Sequence, residues 1–462
     1  MVNFNLSEDS VAWDTPKRQP PGPEGLPVLG NTLSCIRQPM DFFEELREYG
    51  DVVRCKFPKI RAVTLFHPEH IEDVLITDQD DYRRWNFDEL RAIVGNDFAP
   101  EGLAFNEGDQ WRNQRHLLQP MFGLDRLRGY ADAMVESTER TVETWDDGEV
   151  VTLNHEFSDL TLEVLTHSLF DLDVREHGAV VPRAAEALND RARMQGFGLV
   201  ELLLPSWIPT PGNNRYRETM NAFDETVGRQ IAKRRANPSD YDDLLARMLS
   251  TESDAGYTLS DSEIHDQMLT FLFAGHETTA TALTFTWLLL ATHPEKRDQL
   301  ETEVEDVLDG SLPSPADLED LTYTGHVIKE ALRLYPPAAM LFRETIADTE
   351  LGKYTIPEGT KILLPQFVVH SDERWYIDPE QFRPERWKEE TGPDRPEYAY
   401  FPFGGGRHNC IGMRFAMMEL KHIVPIIAQR VDFEVLSDPD PAVQMEMTLQ
   451  PTEDIQTRVH KR

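Results

Sequence analysis

One cysteine in this chain stands in surroundings suited to chemistry. The run Phe403-Gly404-Gly405-Gly406-Arg407-His408-Asn409-Cys410-Ile411-Gly412 places it after three consecutive glycines and ahead of an apolar stretch with Ile411, Phe415, Met418 and Leu420. Glycines let a backbone turn tightly and lie flat against a large planar ligand. The spacing predicts a helix from Cys410 to Gln429, whose terminal N–H groups and positive dipole end would face the sulfur and favour thiolate. Such a cysteine is a nucleophile, a metal ligand or a structural residue, and its helix and glycines leave all three open. Glu330 and Arg333 stand at i and i+3, so they share a helix face; many such pairs are solvated and worth little. Ala274-Gly275-His276-Glu277-Thr278-Thr279 sets an acid beside hydroxyls inside an apolar stretch. Its plain alternative is a patch of small residues in a buried helix. His276, next to Glu277, is expected to point elsewhere, because neighbouring helix residues do not share a face.

Helices must position these groups. Periodic apolar residues predict them over 39–49, 107–121, 124–145, 153–170, 215–236, 260–292, 316–334 and 410–429. Short β-like runs at 52–57, 62–66 and 360–364 are few and separated by helices. Residues 16–30 (PKRQPPGPEGLPVLG) are stiff and poor in helix or strand signals, so 1–30 reads as a Pro/Gly-rich lead-in and 31–462 as a single domain. The stretch from Met268 to Ala291 is long enough to span a bilayer, but His276 and Glu277 near its middle argue for a helix buried in protein. No repeat is evident. The fold class is mainly α with small β-sheets.

The 462 residues include 46 basic and 82 acidic side chains, a formal net charge of −36. Nucleic-acid phosphates and anionic membranes would repel such a chain, so both are set aside as partners. Hydrophobic residues make up 40 %, enough for a sizeable core. Only 11 of the basic residues are Lys, and the acids run the whole length rather than forming a tail. An acidic surface adapted to concentrated salt fits this pattern, and an ordinary acidic cytosolic protein is the alternative. Three cysteines make no disulfide framework and suit a reducing cytosol. The first ten residues lack a basic segment followed by an apolar run, so a cytoplasmic location is expected.

Phe403, Gly406, Cys410 and Gly412 match the haem-thiolate loop FxxGxxxCxG and resemble the cytochrome P450 superfamily. With 23 Phe, 26 Gly and 3 Cys in the chain, a chance match is expected on the order of once in a thousand such sequences. The family's other signatures follow in order: Trp111 and Arg115 as WxxxR, Ala274–Thr279 as the oxygen-activation motif, Glu330–Arg333 as ExxR, and Pro384-Glu385-Arg386-Trp387 resembling PERF. The resemblance implies a triangular, mostly α fold with haem b between the helices the family labels I and L. It implies Cys410 as axial ligand to the haem iron, pushing electron density to favour O–O cleavage, and Phe403 packed beside the sulfur. Glu277 would relay protons and Thr278 would hydrogen-bond the oxygen being activated. Glu330, Arg333 and Arg386 would form a structural triad that fixes the cysteine loop. Trp111, Arg115 and Arg343 would bind haem propionates. The loop departs from the commonest form, which has Pro-Arg where this chain has Arg407-His408; His408 is expected to take a propionate, with Arg407 either the alternative donor or facing solvent.

A monooxygenase is the function implied: one atom of O2 enters a small hydrophobic substrate and the other leaves as water. No flavin or Cys-rich iron–sulfur module is fused, so electrons from NAD(P)H are expected through a separate ferredoxin and ferredoxin reductase, with the chain a monomer. Arg407, Arg414 and Lys421 are the candidate docking cations. A peroxygenase or isomerase is the first rival, disfavoured by the intact Glu277-Thr278 pair, and a haem sensor or electron carrier is the second. Phe87, Phe98, Phe105, Phe271, Phe273, Met340 and Leu341 are candidates to line the substrate pocket, or are simply core.

Overall fold

A computed structural model describes residues 19–58, 60–85, 99–172, 180–184, 187, 211–253, 256–388, 395–446 and 448–462. The chain forms two compact units, one from residues 1–86, 338–381 and 392–410, the other from 87–337, 382–391 and 411–462.

The first unit is built on a five-stranded sheet in the order Val52–Phe57, Ile60–Leu65, Lys361–Pro365, Met340–Thr345, Tyr82–Arg83. Strands dense in Val, Ile and Leu fit a pleated, buried surface. Val53, Cys55, Val63, Leu65, Ile362 and Leu364 are accordingly fully buried. The first two strands pair antiparallel, with Cys55 opposite Ala62, and the second runs parallel to Lys361–Pro365. The predicted strands 62–66 and 360–364 thus lie one or two residues from where they form. Met340–Thr345 carries no strong strand pattern; it becomes a strand through pairing with Lys361–Pro365.

Helices dominate the second unit. The longest, Asp261–Thr292, starts at a capping box: Ser260 Oγ accepts the Glu263 N–H at 3.2 Å, and Glu263 Oε2 accepts the Ser260 N–H at 2.9 Å. It packs on the helix Leu153–Phe170, and Gly275 is what allows the approach. A Cβ there would lie 2.7 Å from Leu165 Cδ1. Farther along, Phe285 stacks on Tyr335 at 4.1 Å. Phe433 collects Trp145, Phe157 and Trp287 around itself at 5.4–6.4 Å, seating the sheet of Val150–Thr152, Gln456–Lys461 and Val431–Val435 against the helices. Among the described residues, no helix is long and apolar enough to cross a membrane.

Three helix starts differ from the sequence expectation by three residues or more, and the first is the helix predicted over 215–236, which begins at Pro211. The helix predicted over 316–334 begins at Thr322, after a 3-10 turn at Asp317–Glu319. Glu303, from the helix Pro294–Leu308, supplies the missing cap by accepting the Thr324 N–H at 2.7 Å. The helix predicted from Cys410 begins at Met413 with Gly412 as its cap residue. The Cys410 N–H is used instead to close the preceding loop.

Candidate active site

That loop belongs to the first unit. The Cys410 N–H donates to the Phe403 carbonyl at 2.9 Å, and the Asn409 N–H donates to the Gly406 carbonyl at 3.1 Å. Gly406 adopts φ +65°, and a Cβ on it would overlap the Leu75 carbonyl oxygen, so only glycine fits. Arg407 lies on this same unit's surface. Its guanidinium donates to Asp80 Oδ1 and the Gln79 carbonyl, both at 2.6 Å, and to the Tyr82 carbonyl at 3.2 Å. Its charge is committed there, and the half-buried His408 follows it at the end of the 3-10 turn Gly406–His408. Arg343 is buried on Met340–Thr345 and donates to the Phe342 carbonyl at 2.8 Å.

The three thiols have different surroundings. Burial pushes Cys35 up to about 11 and Cys55 up to about 12, and Cys55 also meets Thr64 Oγ1 at 3.4 Å. Cys410 alone is exposed. A thiol ready to coordinate belongs in the last of these places.

In the second unit, Asp261–Thr292 is buried for most of its length, with an accessible strip at its middle formed by Phe273, Ala274, Gly275, Glu277 and Thr278. The helix is continuous there. Thr278 Oγ1 donates to the Ala274 carbonyl at 2.8 Å, and Thr279 Oγ1 donates to the Gly275 carbonyl at 3.0 Å. Glu277 Oε1 accepts from Gln450 Nε2 at 2.7 Å. His276 does not point fully elsewhere: its Nε2 lies 3.6 Å from Glu277 Oε2, while its Nδ1 sits 2.6 Å from the Leu272 carbonyl. Burial pulls His276 below its ordinary pKa, with Glu277 opposing.

Trp111 and Arg115 lie on the helix Gly108–Leu118, Trp111 buried and Arg115 half-buried. Between them Gln114, which sequence reasoning passed over, is fully buried and donates to Glu263 Oε1 at 3.1 Å and the Glu101 carbonyl at 2.8 Å. This contact registers the helix against the start of Asp261–Thr292. Burial alone would raise Glu263, but the Tyr257 hydroxyl, the Ser260 N–H, Gln114 and Gln110 hold it below the usual carboxylate range.

Glu330, Arg333 and Arg386 come together in the second unit. Arg333 grips Glu330 through Nε and a terminal nitrogen at 3.0 and 2.8 Å, Arg386 Nε reaches Glu330 Oε1 at 2.6 Å, and the Arg383 N–H adds a contact at 3.2 Å. Glu330 and Arg333 are completely buried. Trp387 Nε1 donates to Glu330 Oε2 at 2.9 Å, a bond that the phenylalanine of PERF could not make.

The family profile described as Cytochrome P450 matches residues 20–459. The chain belongs to the cytochrome P450 family. It is 35 % identical over 415 residues to a cyclooctat-9-en-7-ol 5-monooxygenase of Streptomyces melanosporofaciens, covering 88 % of each chain. It is 33 % identical to a pentalenene oxygenase of Streptomyces avermitilis, covering 86 % of this chain and 87 % of that one. It is 29 % identical to the human cytochrome P450 3A5, over 96 % and 91 % of the two chains. This P450 is a haem-dependent monooxygenase acting on a hydrophobic substrate, with O2 as co-substrate and electrons from NAD(P)H through redox partners. Its mainly helical architecture with small sheets is that of the family. Within the first unit, an accessible thiol on a glycine loop and the Arg343 guanidinium are of the chemistry that haem b requires, a thiolate donor and a cation for a carboxylate arm.

Among the candidate pocket residues, Phe271 is buried against Phe122 at 5.5 Å and belongs to the core. Phe273, Met340, Leu341 and Phe105 are partly accessible. Phe87 and Phe98 lie outside the described residues, as do the first 18 residues of the lead-in.

Proposed function

We propose that this P450 hydroxylates a terpenoid in the cytoplasm of a salt-adapted cell, as a monomer whose residues from 31 onward act as one catalytic domain. The accessible strip at the middle of Asp261–Thr292 carries the reading: Phe273, Ala274 and Gly275 offer an apolar surface directly beside Glu277 and Thr278. Two of the relatives are named for oxygenating cyclooctat-9-en-7-ol and pentalenene, compact hydrophobic molecules of the kind such a surface suits. Haem, held through Cys410 with Phe403 beside the sulfur and Trp111, Arg115, Arg343 and His408 toward its propionates, supplies O2 activation and oxygen transfer when bound. Thr278 presents a hydroxyl fixed by the Ala274 carbonyl, and Glu277 exchanges protons with it and with solvent. The buried triad of Glu330, Arg333 and Arg386 stiffens the frame and does no chemistry.

Incubation with candidate cyclic terpenes, a ferredoxin, its reductase, NAD(P)H and labelled O2 tests the reading; one labelled oxygen in the product is the expected result. In Thr278→Ala, product per NAD(P)H falls by about tenfold or more while O2 uptake continues and peroxide accumulates, the signature of lost proton delivery. A yield equal to the parent's contradicts the role given to Thr278.

The electron donor proposed is an acidic ferredoxin. Of the three cations suggested by sequence, Arg407 is committed to Asp80, Lys421 Nζ donates to the Leu318 carbonyl at 2.6 Å and is half-buried, and Arg414 is exposed. A second patch lies at His326, which burial and then Lys329, with Lys388 and Lys421, hold below its ordinary pKa against the opposing Glu303. Three of the chain's 11 lysines gather there, and Lys329 and Lys388 are exposed. Reversing both exposed charges (Lys329→Glu with Lys388→Glu) raises the KM for ferredoxin, and the increase shrinks as KCl is raised across the range in which the parent keeps its haem, because screening shortens to about 3 Å in molar salt.

A further inference from the structure

Glu277 and Gln450 lie 173 residues apart in sequence. Gln450 sits in the hairpin of Val443–Met445 and Leu449–Pro451, opposite Gln444. Its carboxamide nitrogen stands 2.7 Å from Glu277 Oε1, 3.0 Å from Thr281 Oγ1 and 2.7 Å from Thr448 Oγ1. Glu277 and Thr281 occupy i and i+4 of Asp261–Thr292, so one carboxamide spans a full turn of the helix that carries the acid.

We propose that Gln450 is a positioning residue for proton delivery, pinning one carboxylate oxygen of Glu277 from the hairpin; this rests on the reading of Glu277 as the relaying acid. A glutamate side chain has several rotamers, and ordering it costs entropy that a charge-assisted hydrogen bond offsets. The Glu277 side chain keeps 17 % of its exposure, so packing alone does not hold it. Anchoring Oε1 fixes where Oε2 stands, on the side of His276 Nε2. Proton transfer depends steeply on such placement: an error of about 1 Å can cost on the order of a hundredfold in rate.

The tether works in both directions. A hairpin of two three-residue strands is marginal by itself. This one is joined to the rest of its unit by the buried Leu449 side chain, by the Leu449 N–H, which donates to the Pro337 carbonyl at 2.9 Å, and by Gln450 on the helix. Loss of the Glu277 carboxylate therefore loosens the hairpin, and loss of the Gln450 amide releases the acid.

Two measurements on the holoenzyme test this. Gln450→Met preserves shape and removes the donor. Its product per NAD(P)H is expected to fall about tenfold with peroxide rising, while the Kd for substrate, read from the haem spectrum, stays unchanged. Amide exchange across residues 443–451 is expected to quicken about tenfold in Glu277→Ala and in Gln450→Met, with no further gain in the double variant. Unchanged exchange in Glu277→Ala overturns the tether, and that arm decides the matter if Gln450→Met does not fold. Yield lost in Glu277→Gln but intact in Gln450→Met overturns the positioning role alone. Yield intact in Glu277→Gln overturns the reading of Glu277 itself.

Discussion

Replacing Cys410 by alanine abolishes oxygenated product, while Cys35→Ala leaves product formation unchanged. The contrast follows from where the thiols lie. Cys35 and Cys55 are pushed up by burial toward the neutral thiol, and Cys55 is inside a sheet against Thr64. Cys410 is exposed at the end of a loop whose Gly406 allows no side chain. Thiolate donation to iron is what makes O–O cleavage favourable in P450s, and no neighbouring residue of the loop replaces a sulfur ligand. The variant is assayed for haem content and for product from NAD(P)H and O2. Product at the parent's level from Cys410→Ala would remove the thiolate from the account.

The second large effect is on stability. Glu330→Ala takes this carboxylate away from the buried Arg333 and the half-buried Arg386, and removing one partner of a buried ion pair costs about 3–5 kcal/mol. Burial weakens the hold of Arg386 on its proton, with Glu330 as the main opposing group. Set against a total stability of about 5–15 kcal/mol, the variant is expected to unfold at much lower urea and to retain little haem. Trp387→Phe removes one hydrogen bond to the same carboxylate and costs about 1.5–3 kcal/mol. Equilibrium denaturation of both variants checks the order; equal midpoints for Glu330→Ala and the parent would contradict the burial argument.

The elements that sequence revealed are those specified by local pattern. Asp261–Thr292 was legible from its apolar run and Leu153–Phe170 from its periodicity, whereas the capping box of Ser260 and Glu263 emerged only with the structure. The spacing of Glu330, Arg333 and Arg386 announced a cluster because the resemblance supplied their relation. What stayed hidden depends on chain segments far apart. Gln450 is an ordinary glutamine until the hairpin brings it to Glu277, and Gln114 has no signal apart from the burial that directs it at Glu263. Trp387 was visible as a departure from PERF, but the departure gains meaning only with the Glu330 oxygen at 2.9 Å. Likewise, the loop's use of the Cys410 N–H moved the last long helix to Met413, a shift that apolar spacing cannot register.

The most direct test of the whole account is the difference spectrum of the dithionite-reduced protein with and without CO, recorded in molar KCl and again in dilute buffer. The account predicts the strongly red-shifted Soret band of thiolate-ligated haem in high salt, and its decay on dilution as 82 acidic side chains lose their screening counter-ions. A band that survives dilution would remove the salt-adapted surface and leave the haem thiolate intact. The shorter-wavelength band of a neutral ligand in both buffers would contradict Cys410 as the axial donor.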